Sequence, residues 1–147
     1  GMCMIKILCV GKIKEAFYQE AIKEYMKRLS KYHKVVIEEL PDSTKQKEEE
    51  LLLKKINLKD YNIILDIDGL MLNSIELANH LDKTFLNHSN ITFIIGGSDG
   101  LTDKVKQMAN FKLSFSKLTF PHQLFRVILL EQIYRSFKIL NHETYHK

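Results

Sequence analysis

Apolar positions along the chain alternate between two periods. MIKILCV (Met4–Val10) is a short apolar run closed by Gly11, which predicts a buried strand. Phe17, Tyr18, Ala21, Ile22, Tyr25, Met26 and Leu29 then recur at helical spacing. VVIEEL (35–40) predicts a second strand, ended by Pro41. Residues 44–56 are highly charged and helix-forming, with Leu51, Leu52 and Leu53 as the only apolar cluster. YNIILDI (61–67) predicts a third strand. Asn73 followed by Glu76 has the spacing of a capping box and opens a helix through Leu81 and Phe85. ITFII (91–95) is a fourth strand, cut off by Gly96 and Gly97. Thr102 caps a short helix carrying Val105, Met108 and Ala109, and KLSFS (112–116) predicts a fifth strand. Pro121 suits the first position of a final helix running to about Leu140. Strands alternating with helices predict an α/β fold, a parallel-rich sheet with helices on both faces. No repeat or linker interrupts the pattern, so the expectation is one domain over residues 2–147, with Gly1 read as a scar of tag removal.

The final helix is unusually apolar. Leu124, Phe125, Val127, Ile128, Leu129, Leu130, Ile133, Tyr134, Phe137, Ile139 and Leu140 leave a narrow polar strip of Glu131, Arg135 and Lys138. Glu131 and Arg135 form an i,i+4 pair, read as solvated. A helix this apolar needs cover on most sides, and a second copy of the chain is the preferred source. Arg126 breaks the pattern, lying opposite the strip. Its head either escapes to water past a packed stem or aims into a site at the helix N-terminus.

Composition narrows the class. At 147 residues, 45% hydrophobic and 27% charged, the chain can bury a core and is not a disordered segment. No apolar run reaches the roughly 20 residues of a membrane helix, and no secretory signal precedes the first strand. Of the two cysteines, Cys9 falls inside an apolar strand and reads as a core thiol, so no disulfide is expected and the compartment is cytoplasmic. The net charge of +4 permits a polyanionic partner without requiring one. Its distribution says more: from Lys117 onward, Lys117, Arg126, Arg135, Lys138 and Lys147 face only Glu131 and Glu143.

In a parallel α/β sheet, ligands bind beyond the carboxyl ends of the strands. Three such ends carry notable residues: LDIDG after the third strand, IIGGSDGL after the fourth and FSKLTFPH after the fifth. Gly96, Gly97 and Gly100 allow close approach to backbone, but their spacing is not the G-x-G-x-x-G fingerprint of a dinucleotide fold. Two other patterns are set aside. HETYH (142–146) matches H-E-x-x-H literally but lacks a third ligand, so no metal is expected. LDIDGL (65–70) has the aspartate pair of haloacid-dehalogenase phosphatases, yet two strands precede it; a tight turn held by Asp66 and Asp68 is the better reading.

IIGGSDGL, then LSFSKLTFPHQLFRVILLEQIYRSFKI, then YHK resemble the RlmH family of SPOUT methyltransferases, as does the opening IKILCVGKIK. The similarity spans nearly the whole chain, and residues 43–59 match least. The resemblance implies a C-terminal trefoil knot, a rare exception to the usual connection rules. It also implies a homodimer, S-adenosylmethionine (S-adenosyl-L-methionine) held in the knot, and methylation of N3 of a pseudouridine in large-subunit ribosomal RNA, free or in the assembled ribosome. Carried over, the cofactor contacts are Leu65, Gly96, Phe115, Ser116, Lys117, Leu118, Thr119 and Phe120, at the same three strand ends. Methyl transfer needs alignment and removal of one proton, for which His146 and Tyr145, reaching across the dimer, and His122 are candidates. Arg126 joins them as a candidate site residue. Lys117, Arg126, Arg135 and Lys147 are expected to bear on RNA. Three alternatives stay open: action on another RNA such as tRNA, a non-catalytic ribosome-associated protein of this fold, and a nucleotide-binding regulator.

Overall fold

The computed structural model describes residues 3–147; Gly1 and Met2, and the tag-scar reading with them, lie outside the described residues. Strands β1 (Met4–Val10), β2 (Lys34–Leu40), β3 (Tyr61–Met71), β4 (Asn90–Ile95) and β5 (Phe111–Ser114) pair in parallel in the order β2-β1-β4-β3-β5. Between and after them run α1 (Ala16–Leu29), α2 (Lys45–Lys55), α3 (Ser74–Phe85), α4 (Asp103–Lys106) and α5 (His122–Leu140). The connections β1 to β2 and β3 to β4 step one way across the sheet, whereas β2 to β3 and β4 to β5 step the other. A single crossover hand must then place the two sets of helices on opposite faces. The packing agrees. Ile5, Ile7, Ile63, Ile91 and Phe93 meet Leu29 of α1, Leu77 and Leu81 of α3, and the inner side of α5. Leu8, Val10, Ile64 and Ile94 meet Leu52 of α2 and Val105 of α4. Both sides of the central strands are buried, which is why they read as continuous apolar runs.

The capping box at α3 is complete: Glu76 N–H donates to Asn73 Oδ1 and Asn73 N–H to Glu76 Oε1, both at 2.8 Å. Cys9 is buried and its thiol is pushed up to about 11 by that burial; Cys3 is exposed, and both are free.

Several boundaries differ from expectation. β3 continues to Met71 because Leu65 and Leu70 both stand opposite Leu113, so the four residues between them bulge outward and the strand then resumes. Within the bulge Asp68 N–H donates to the Asp66 carboxylate at 3.2 Å, the turn read from the aspartate pair. At Gly69 a Cβ would lie 2.7 Å from the Lys112 carbonyl, so only glycine lets the strands rejoin. β5 stops at Ser114, where the chain leaves the sheet and the Ser114 hydroxyl donates to the Ser116 carbonyl. Pro121 is the N-cap of α5 and not its first turn: its ψ of 136° is extended, while its carbonyl accepts from Phe125 N–H.

On α5, Leu129, Leu130, Ile133, Tyr134 and Phe137 are buried within the single chain, while Leu124, Phe125, Val127, Ile128, Ile139 and Leu140 are half-buried. The Glu131–Arg135 pair is not solvated as expected. Its side chains are 20% and 23% exposed, because Tyr145 folds over Arg135 and its hydroxyl donates to Glu131 at 3.2 Å.

Two histidines make stability depend on pH. His33 stacks on Phe137 and packs against Phe85, and His80 Nε2 lies 2.9 Å from the Tyr61 hydroxyl. Burial holds both below the usual imidazole range, and Lys83 adds to the effect at His80. The unfolded chain therefore binds protons at these sites first as pH falls, and the folded state loses stability below about pH 6.5. The paired Glu24, Glu38 and Glu143 carboxyls, all lowered by their cation partners, add their losses only at more acid pH. The urea midpoint is expected to fall between pH 7 and pH 5 and to fall less in His33→Phe. An unchanged midpoint across that interval would count against the assignment.

Candidate active site

The carboxyl ends of β3, β4 and β5 converge on a cavity of about 730 Å³. Leu65, Ile95 and Leu113 form its strand-borne apolar side. The segment after β5 crosses over it, contributing Phe115, Ser116, Leu118, Thr119 and Phe120, and Phe125 closes it from α5. The remaining wall is backbone. Gly100 N–H donates to the Gly97 carbonyl at 3.0 Å, and Gly100 has φ +75°, which favours glycine. At Gly96 a Cβ would lie 2.8 Å from the Gly100 carbonyl carbon, so this turn closes only over a bare backbone. Charged residues also line it: Asp66, 3.5 Å from Lys106, with Lys45 and Asp99.

Of the residues expected to hold a cofactor, Leu65, Gly96, Phe115, Ser116, Leu118, Thr119 and Phe120 all line this cavity. Lys117 does not; it is exposed in the same segment. Among the catalytic candidates, His122 lines the cavity. It also borders Gly11, whose φ is +99° and whose Cβ direction is flanked by His122 Nε2 at 3.2 Å and the Asp42 carboxylate at 3.1 Å. His146 lies instead in a second cavity of about 520 Å³, with Asn73, Ser74 and Gln132. Phe115, Ser116 and Phe120 line both cavities. His146 Nδ1 is 3.2 Å from Arg135, and Tyr145 packs on Tyr134.

Arg126 follows neither of its two sequence readings. Its side chain is 0% exposed, so the head does not escape to water, and it lines neither cavity. The guanidinium donates to Glu39 at 2.6 Å, to the Gly11 carbonyl at 3.0 Å and to the Val10 carbonyl at 3.4 Å. Glu39 Oε2 also accepts from Ile13 N–H at 3.0 Å. An arginine fork can serve this set of acceptors, and here it ties the first turn of α5 to the ends of β1 and β2.

Asp66, Lys106, Lys45 and Asp99 line the cavity although the sequence alone does not single them out for it: LDIDG and GGSDG mark strand ends, and only the tertiary path brings these residues to one cavity. The HETYH segment is not helical: His142 has φ 55°, and Glu143 is taken by the Tyr32 hydroxyl and Lys138. Its histidines therefore do not share a helical face. Among the described residues no group of three metal-ligating side chains is placed to hold an ion, and no helix is long and apolar enough to cross a membrane.

A family profile described as "Predicted SPOUT methyltransferase" matches residues 3–146. This chain belongs to the SPOUT methyltransferase family. Its SPOUT relatives include proteins named ribosomal RNA large subunit methyltransferase H. The one from Clostridium tetani is 48% identical, over 97% of this chain and 99% of its own. A putative one from Methanococcus vannielii is 49% identical over the same shares. Among solved structures, the tRNA (m1G37) methyltransferase from Aquifex aeolicus superposes with a TM-score of 0.54 at 16% identity. That match covers 92% of this chain and 70% of that one. A ribosomal RNA small subunit methyltransferase E from Neisseria gonorrhoeae, bound to S-adenosyl methionine, gives 0.50 at 9% identity over 95% and 66%. At such low identities these two likenesses speak for the fold alone. The α/β sheet described above is thus a SPOUT sheet.

Proposed function

We propose that this SPOUT methyltransferase transfers a methyl group from S-adenosylmethionine to N3 of a pseudouridine in large-subunit ribosomal RNA, as a single-domain protein over residues 2–147, homodimeric and cytoplasmic. The observation that carries the substrate is end-to-end identity of 45–49% with proteins named for large-subunit ribosomal RNA. The cavity supports the cofactor. Its volume lies in the range of small-molecule sites. Its apolar sides, Leu65, Leu113, Phe115 and Phe125, suit the faces of an adenine ring, and the bare backbone at Gly96–Gly97 offers polar groups at close range. The proposed knot has support in the chain path, since residues 115–121 leave the edge strand β5, pass over the strand ends and bring His122 beside Gly11 at the end of β1.

Bound there, S-adenosylmethionine supplies an electrophilic methyl group on a sulfonium sulfur. The protein's own residues have two tasks: to fix the acceptor ring beside the cavity, and to take up or relay the proton that leaves N3. His122 is at the cavity itself; His146 stands behind the shared Phe115–Ser116–Phe120 wall, and Tyr145 lines neither cavity and packs on Tyr134 and Arg135, from where the tail is proposed to serve a partner's site. Arg126 acts only through position, by fixing the turn that carries His122. RNA contacts then rest on the exposed Lys117 and Lys147, with the half-buried Arg135 at their margin; buried Arg126 is removed from that set.

The test is methyl transfer from labelled S-adenosylmethionine to ribosomes, ribosomal subunits and tRNA, with nucleoside analysis. Label in N3-methylpseudouridine of large-subunit RNA is expected; label confined to tRNA, or none, would overturn the reading. With turnover established, His146→Ala is expected to lower kcat about a hundredfold at unchanged cofactor affinity. Full turnover in that variant removes His146 from the chemistry.

A further inference from the structure

Beyond the cavity, the segment joining β1 to α1 combines features that the reading above leaves unused. GKIKEAF (11–17) leaves the carboxyl end of β1, the end of the sheet at which the cavity opens, and a Cβ at Gly11 would stand 3.2 Å from Nε2 of the cavity-lining His122. Its backbone is held in place. Ile13 N–H donates to Glu39, Ile13 C=O accepts from Gln19 Nε2 at 3.0 Å, and Gly11 C=O accepts from Arg126. The side chains are not held. Lys12 and Lys14 are exposed, and neither has a carboxylate within ion-pair distance among the described residues. Phe17 is 63% exposed, its ring 4.4 Å from that of half-buried Tyr18.

Phe17 shares its exposure with other large apolar side chains such as Leu58 and Leu86, and differs from those two in being aromatic and in following two exposed lysines in the same segment. Two exposed cations and an exposed aromatic ring in one short segment with a pinned backbone have the chemistry of a single-stranded nucleic-acid platform: phosphates go to the lysines and a base stacks on the ring. Glu15 and Glu20 balance the two lysines in formal charge but form no ion pair with them, so the lysines act by local phosphate contact and not through a net positive field. Glu39 is paired with Arg126, and Asp42 lies on the Gly11 side near His122.

We propose that Lys12, Lys14 and Phe17 form a docking strip for single-stranded RNA flanking the methylated nucleotide, with a base on Phe17 and backbone phosphates on the two lysines. The strip rests on the ribosomal RNA reading for its substrate but is set by different residues from the cavity. It supplies recognition surface outside the cavity.

Two measurements test it. The first is binding of a fluorescein-labelled single-stranded RNA of about 12 nucleotides, followed by anisotropy from 50 to 200 mM salt. The second is the KM for large ribosomal subunits at saturating S-adenosylmethionine. Replacing both lysines (Lys12→Gln with Lys14→Gln) is expected to lower the slope of log affinity against log salt by about 1.4, for two single-strand phosphate contacts. Phe17→Ala is expected to weaken RNA binding and raise KM about tenfold, and Phe17→Tyr, which keeps a stacking ring, to restore both. Calorimetric affinity for S-adenosylmethionine and sedimentation mass should stay at wild-type values. Unchanged slope and KM overturn the strip, and so does a change of mass, which would assign Phe17 to contact with a second copy. Turnover on ribosomes with insensitive variants sinks the strip and keeps the ribosomal reading. Sensitive RNA binding without ribosomal turnover does the reverse.

Discussion

Replacing Arg126 with alanine is expected to lower the unfolding midpoint by roughly 6–12 °C, one of the largest effects available to a single side chain here. The guanidinium is wholly buried and answers Glu39 and two carbonyls at the end of β1. Removing it strands those acceptors and leaves a void, and breaking a buried pair costs about 3–5 kcal/mol. Glu39 keeps 33% of its side chain in water, which places the cost near the lower end, at about 3 kcal/mol. A domain of this length converts each kcal/mol into roughly 2–4 °C. Lysine keeps the charge but not the fork, so Arg126→Lys should fall between alanine and wild type. The same substitutions loosen the first turn of α5, and turnover should fall further than the folded fraction alone accounts for. Thermal unfolding and kcat measured on the same preparations check both parts. A midpoint within 1 °C of wild type, by the same size scaling, would show that the clamp is not structural.

Gly96→Ala is expected to cut affinity for S-adenosylmethionine and kcat/KM by about a hundredfold while the fold survives. The added methyl would stand 2.8 Å from the Gly100 carbonyl carbon and 3.0 Å from its oxygen, so the obstacle is backbone and cannot rotate away. The turn must shift, and it is one wall of the cavity; displacement on the scale of 1 Å can cost that much in rate. Neighbouring glycines provide graded controls. At Gly97 the nearest atoms are the side-chain ends of Glu48 and Val10 at 3.2 Å, which can yield in part. At Gly100 space is open and only the positive φ is strained, at about 1–2 kcal/mol. Calorimetric titration with S-adenosylmethionine should rank the losses Gly96 first. Equal affinity in Gly96→Ala and wild type would remove this turn from the binding site.

The order and type of all ten elements follow from apolar period and capping signals, because burial on both faces of β1 and β4 and the reciprocal bonds of Asn73 and Glu76 are local consequences of local residues. The strand-end cavity was legible for a related reason: in a parallel sheet every carboxyl end opens on one side, so GGSDG and FSKLTF had to meet. The resemblance then supplied which of those residues to name, and seven of the eight line the cavity. Lys117 departs because a charged side chain gains by facing water.

What the chain itself determined is the set of elements, the α/β class and the end of the sheet at which the cavity opens. Only the tertiary structure decided the strand order β2-β1-β4-β3-β5, the resumption of β3 past its bulge and the fate of Arg126. Strand order is chosen by which helices can share a face, a global condition that no window of sequence contains. Arg126 shows the same limit at a single side chain. Periodicity places it on a face of α5, but its acceptors, Glu39, Gly11 and Val10, lie 87 to 116 residues away along the chain. Whether a buried charge has partners is settled only when distant strands arrive beside it.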